Sequence, residues 1–117
     1  MAYMLLIIEK PAERAARSES EGRALYERML SFSAEFKARG LLTMSQALKS
    51  DASGTRITKR SGAVTVRDGP FAEAREIVGG FFLLTCETRE QAMAVAESCP
   101  AAEWATVELR ELGPCFQ

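Results

Sequence analysis

The run Tyr3-Met4-Leu5-Leu6-Ile7-Ile8 has the length of a strand and no charged residue in either of its alternating rows. It predicts a strand buried on both faces. The run Phe81-Phe82-Leu83-Leu84-Thr85-Cys86 repeats the pattern late in the chain. Two such strands belong at the centre of a sheet, because an edge strand keeps a polar row. Pro11, which cannot donate to a ladder, stops the first of them.

Working outward, the period changes to that of a helix from Ser18 to Gly40. Leu25, Met29, Phe32 and Phe36 fall on one stripe. Ser18 with Glu21 has capping-box spacing, Glu19 and Glu21 suit the positive end of the helix, and Lys37 and Arg39 suit the negative end before Gly40. Leu41 to Leu48 then alternates, with Leu42, Met44, Gln46 and Leu48 in one row whose single polar member is Gln46. Lys49 to Gly54 reads as a surface loop. Thr55–Lys59 and Ala63–Arg67 flank Ser61-Gly62 as a β-hairpin closing at Asp68-Gly69-Pro70. Thr88 with Gln91 opens a shorter helix striped by Ala92, Val95, Ala96 and Cys99 and stopped by Pro100. A last strand, Trp104 to Leu112, sets Ala105, Val107 and Leu109 against Thr106, Glu108 and Arg110, an arrangement that suits an edge.

The order is strand, helix, strand, hairpin, strand, helix, strand. It predicts an α+β fold: a ferredoxin-like βαββαβ unit with an inserted β-hairpin, in one domain over residues 1–117. Its first and third core strands are central, and these are the two doubly apolar ones. Two helices cover one face of the sheet, so the other needs a cover of its own. A second copy is the simplest, giving a homodimer with a barrel-like interior, a dimeric α/β barrel.

Hydrophobic content of 47%, charged content of 26% and a net charge of -1 give no electrostatic reason to expect direct nucleic-acid or anionic-lipid contact. No apolar run approaches the roughly 20 residues of a membrane span, and Met1 to Lys10 lacks the marks of a signal peptide, so the expected location is cytoplasmic. Cys86, Cys99 and Cys115 are odd in number and widely spaced, which argues for reduced thiols. The chain has no histidine. Serine and cysteine mechanisms that need an imidazole, and histidine-ligated metals, are therefore excluded. No cofactor and no metal centre is expected.

The candidate site is Arg67 to Gly80, RDGPFAEAREIVGG, longer than a usual connection and leading into a central strand. Asp68, Gly69 and Pro70 are explained by a sharp turn. Asp68, Glu73 and Glu76 also place three carboxylates close in sequence. If they converge, one could act as a general acid or base, and the set could instead hold a hard cation such as Mg²⁺ or Mn²⁺. Asp68 and Glu73 are the candidate catalytic residues; Glu76, Gln46, Tyr3 and Arg110 are the candidate ligand contacts. Each has a plainer reading: solvated charge for Glu76, an edge hydrogen bond for Gln46, a rim position for Tyr3, a surface pair with Glu108 for Arg110.

YMLLII, FKARGLL, SQAL and above all DGPFAEAREIVGGFFLL resemble the DGPF subgroup of the YCII-related proteins, from Tyr3 to about Leu112. The resemblance implies a dimeric α+β barrel. Relatives on that fold include enzymes acting on lactones and aromatic breakdown products, and YCII proteins have a proposed histidine and aspartate site. A chain without histidine cannot inherit that chemistry. Some DGPF proteins accompany sigma factors, which implies a possible regulatory partnership. The expected function is a homodimer binding a small organic molecule in an inter-sheet cavity, with acid/base chemistry of the isomerase or lyase kind. The alternative is a non-catalytic ligand-sensing module associated with a sigma factor.

Overall fold

The computed structural model describes residues 2–117. The first strand is β1, Ala2–Glu9, whose residues alternate between half-buried and buried. Pro11 both ends it and begins a short helix, α1, Pro11–Ala16, which the sequence reading missed. Proline suits the first helical position because its absent N–H has no intrahelical partner there. The long helix α2 spans Glu19–Ala38, and its Ser18 cap accepts a hydrogen bond from the Glu21 N–H as predicted. Then follow β2, Leu42–Ala47, a one-turn 3₁₀ segment, Asp51–Ser53, and the hairpin β3, Thr55–Arg60, and β4, Ala63–Asp68. Its two-residue turn carries positive φ at both Ser61 and Gly62. The chain ends with β5, Ile77–Thr85, α3, Arg89–Ser98, a second 3₁₀ turn, Pro100–Glu103, and β6, Thr106–Glu111.

The main sheet is antiparallel in the order β2-β5-β1-β6, with the doubly apolar strands at the centre. This is the ferredoxin-like α+β arrangement, with the hairpin as a separate two-stranded sheet. One face packs on α2 and α3. There Tyr3, Leu5, Ile7, Phe82 and Leu84 meet Phe32, Phe36, Ala92 and Val95. Phe32 stands edge-on to Phe82 at 5.3 Å. Leu5 and Leu84 are fully buried, and each stabilises the fold by roughly 2–3 kcal/mol relative to exposure.

Two strand details differ from the sequence reading. β5 begins at Ile77, so Gly79 and Gly80 lie inside the strand rather than before it. In β2 the register slips between Leu42 and Met44. Leu42 therefore pairs with Leu84 on the helix side, whereas Met44 and Gln46 pair with Leu83 and Phe81 on the opposite face. A bulge at Thr43 breaks the single row that simple alternation predicts. The face away from the helices carries Met4, Leu6, Ile8, Met44, Phe81 and Leu83. Among the described residues no helix is long and apolar enough to cross a membrane.

Candidate functional site

A concavity lies on the helix side of the sheet, between α1, α2 and the ends of β1, β2 and β5. It is a cleft of about 860 Å³, within the size range of small-molecule sites. Its wall is apolar and aromatic: Ile7 and Phe82 from the sheet, Leu25 and Met29 from α2, and Trp104 after the second 3₁₀ turn. Arg28 holds that wall in place, pairing with Glu103 and lying over the Trp104 ring at 5.2 Å. Tyr26 and Leu30, about half exposed, stand at the mouth.

At one end of the cleft sits Glu9, the one buried charged residue among those described. It is the last residue of β1 and falls in the helix-facing row with Tyr3, Leu5 and Ile7, so the strand carries its carboxylate under the helix layer. Arg14, one turn into α1, donates from Nη1 to Glu9 Oε2 at 3.2 Å and from Nη2 to the Leu48 carbonyl at 2.6 Å. The α1 turn that follows Pro11 thus brings a cation back over its own preceding strand. A pair this enclosed is screened less than a surface ion pair. Gly79 supplies the space: a Cβ there would overlap the Glu9 carboxylate. At Gly80 a Cβ would come within 3.0 Å of the Gln46 carbonyl. The two glycines of the long motif are thus explained by close packing around Glu9 and β2.

Two further features shape the cleft. Gly22 of α2 lines it, and a Cβ there would meet nothing within 4 Å. Arg17, just before the Ser18 cap, also lines it and has no ion-pair partner among the described residues, whereas Arg14 is paired with Glu9 and Arg23 with Glu19. The Ser33 and Ser45 hydroxyls join α2 to β2 at 3.1 Å along one side.

Of the residues singled out in the sequence, Gln46 borders this cleft on edge strand β2, although its register sets its side chain on the Phe81 row. The others lie elsewhere. Tyr3 is not at a rim but in the core, 1% exposed, and burial pushes its phenol pKa up, with Glu111 adding to the effect. Arg110 pairs with Glu108 at 2.6 Å. Asp68, at the exposed end of β4, accepts a hydrogen bond from the Thr55 hydroxyl at 2.9 Å. Glu73 is exposed and ion-paired with Arg67 and Arg56. Its own backbone N–H, then Arg67, hold its carboxyl below the usual range. Glu76 is exposed, just before β5 begins. The three carboxylates do not converge: among the described residues no group of three or more His, Cys, Asp and Glu side chains could hold a metal ion.

The DGPF residues instead anchor the hairpin. The Gly69 N–H donates to the Gly54 carbonyl at 2.8 Å, and any side chain at Gly69 would strike the Asp51 carbonyl. The Phe71 N–H donates to Asp51 Oδ2 at 3.0 Å. The Phe71 ring is buried beneath the guanidinium groups of Arg56 and Arg67, at 4.0 and 5.2 Å.

Glu9, Arg14 and Gly22 were not picked out from the sequence. An acid at the end of an apolar run reads as the end of a strand. The signal that could have found Glu9 is its even spacing from Tyr3, Leu5 and Ile7, which puts it on the buried row.

Comparison with known proteins agrees with this architecture. No curated protein matches the chain. Among solved structures, the 5-chloro-2-hydroxyhydroquinone dehydrochlorinase of Burkholderia phenoliruptrix, in complex with 2,5-dihydroxybenzoquinone, superposes with a TM-score of 0.55 at 13% identity. The match covers 97% of this chain and 94% of that one. At that identity the likeness is one of fold. The model of the YCII-related domain matches residues 1–115, and with the fold it describes, the chain belongs to the YCII-related family.

Proposed function

We propose that this protein, a DGPF-type member of its family, binds a small ring-shaped organic acid in the cleft between α2 and the sheet and acts on it by proton transfer. The observation that carries the reading is the enclosed Glu9–Arg14 pair at the end of an aromatic-walled cleft. Glu9 lines the cleft with its carboxylate oriented by Arg14, and it is the acceptor placed to receive a proton from an acidic C–H or O–H of a bound ring. Returning that proton to another atom gives an isomerisation, and expelling a leaving group with the freed electron pair gives an elimination. Arg17 is the unpaired cation available to an anionic oxygen of the ligand. The dehydrochlorinase of similar fold, solved with a hydroxylated quinone, supports a ring of this size and polarity.

The open apolar face of the sheet supports a homodimer built by pairing that face with its copy, which would create the inter-sheet cavity expected from the sequence. Three free thiols suit a reducing compartment, and we place the protein in the cytoplasm. A ligand sensor, alone or beside a sigma factor, would use the same cleft without turnover.

Trp104 is the single tryptophan and lines the cleft, so its emission reports occupancy. Hydroxylated benzoquinones and phenolic acids are titrated into the wild type, Gly22→Leu and Glu9→Gln, with calorimetry as a second readout. Wild type is expected to bind, Gly22→Leu to lose binding by filling the cleft, and Glu9→Gln to keep binding while losing turnover. Binding without turnover in the wild type favours the sensor. Unchanged binding by Gly22→Leu, or loss of binding in Asp68→Asn or Glu73→Gln, would move the site to the base of the hairpin.

A further inference from the structure

The hairpin β3–β4 is hardly covered by the rest of its own chain. Every residue of both strands is exposed. The register sets Ile57 opposite Val66 and Lys59 opposite Val64, so Ile57, Val64 and Val66 share one face, 65%, 55% and 60% exposed. The other face is occupied where Arg56 and Arg67 close over Phe71. A two-stranded ribbon is marginal in water on its own, and a bare row of β-branched residues makes it more so. The ribbon also extends the molecule: the radius of gyration is 16.0 Å, against about 13 Å for a compact chain of this length.

Charge indicates what covers it. From Thr55 to Arg67 the ribbon has four cations, Arg56, Lys59, Arg60 and Arg67, and no acid. From Glu87 to Glu111 the chain has six glutamates against two arginines. Arg56 and Arg67 share Glu73, but Lys59 and Arg60 at the turn have no ion-pair partner among the described residues, and neither do Glu87, Glu90 and Glu111. These charges lie at opposite ends of the sheet. The ribbon joins it where Ile77 faces Glu9, whereas Glu111 faces Tyr3 and Glu87 follows Thr85, which faces Ala2. One copy cannot bring them together. Two copies can, when the open faces pack with their strands running in opposite directions, because the base of each ribbon then emerges at the acidic end of its partner.

We infer that the β3–β4 hairpin is a dimer arm that lays Ile57, Val64 and Val66 on a second copy of this chain and sets Lys59, which shares their face, against that copy's Glu87, Glu90 and Glu111. The inference rests on the pairing of open faces proposed above. Sedimentation equilibrium, with circular dichroism to confirm folding, tests it in the wild type, Ile57→Glu/Val66→Glu, Lys59→Glu and Leu83→Lys. The wild type is expected to be a dimer. The apolar arm variant should weaken self-association at least tenfold, and the charge variant should weaken it and be restored by Glu87→Lys/Glu90→Lys. If Leu83→Lys dissociates the dimer while both arm variants associate like wild type, the face pairing stands and the arm is overturned. A monomeric wild type overturns both. Arm variants that lose only retention on double-stranded DNA overturn the arm in favour of a nucleic-acid ribbon.

Discussion

The carboxylate of Glu9 occupies the space that a side chain on Gly79 would need. Glycine in a strand interior is costly in entropy, and here it admits a buried acid to the sheet layer. Gly79→Ala is therefore expected to destabilise the fold by about 1–3 kcal/mol, the range for overpacking a well-filled site. In a Glu9→Ala background the same change should cost much less, a coupling of about 1 kcal/mol or more that urea titrations of the double-mutant cycle measure. Additive effects would show that the two residues do not compete for space.

Gly22 poses the opposite case. It lies in the second turn of α2, has no left-handed φ, and nothing stands within 4 Å of its missing Cβ. Neither packing nor backbone geometry demands glycine there. Gly22→Ala is expected to raise stability by about 0.5–1 kcal/mol, read as a higher urea midpoint with an unchanged slope. A loss of stability would mean that the cleft is narrower than described.

The contrast between these glycines shows which features were legible in the sequence. Phe32 and Phe36 were placed in the core because helical period reports burial directly, and Leu5 and Leu84 because strands buried on both faces have no polar row. Glu9 was not found, because its burial depends on Arg14, one turn into a helix that no apolar stripe announces, and on Gly79, far along the chain. The bulge at Thr43 leaves no trace in the alternation of β2, so period alone sets Leu42 in the Met44 row, whereas the structure places it on the helix side. In the DGPF motif, composition drew attention to the carboxylates, whereas the physical content lies in Gly69 against Asp51 and in Phe71 beneath two arginines. Convergence of side chains depends on tertiary structure, and spacing along the chain does not encode it.

The base of the hairpin predicts an acid dependence. Glu73 is held below its ordinary pKa by its own backbone N–H and by Arg67. A depressed carboxyl contributes stability that is present above the unfolded value, about 4.3, and is lost as pH falls through the folded value. Between pH 6 and pH 3 the wild type should lose more stability than Glu73→Gln, whose side chain does not titrate. Denaturant melts across that range decide the matter, and parallel pH profiles would count against the Arg67 pairing. The difference is expected to be small, because all three side chains at this cluster are about half exposed.

Phe71 should matter more than the charges around it. Its ring is buried at 6% exposure while its neighbours Pro70 and Ala72 are exposed, and its N–H is held by Asp51. Phe71→Ala removes the ring on which Arg56 and Arg67 rest. It should cost about 3 kcal/mol, the lower end for aromatic truncation, since this cluster is apart from the main core. The loss is expected to be local first, with faster tryptic cleavage at Lys59 and Arg60 while α2 and the main sheet keep their circular dichroism. Cleavage that accelerates only with global unfolding would mean that the hairpin base and the core form one cooperative unit.

The thiols give a last test, of the core. Cys86 and Cys99 are buried and Cys115 is exposed. Burial raises the pKa of both buried thiols, with the backbone at Ala101 partly opposing it for Cys99. A thiolate-selective reagent at neutral pH should therefore label Cys115 alone and reach the other two only in denaturant. The sign in alkali follows from the same cause. Folding keeps Cys86 and Cys99 protonated while the unfolded chain ionises above about pH 8.5, so their contribution is intact below that pH and is lost as pH rises. Cys99→Ala should flatten this alkaline decline at the cost of some packing. If all three thiols react at one rate in the native protein, α3 does not seal the core over Cys86 and Cys99 as its packing here requires.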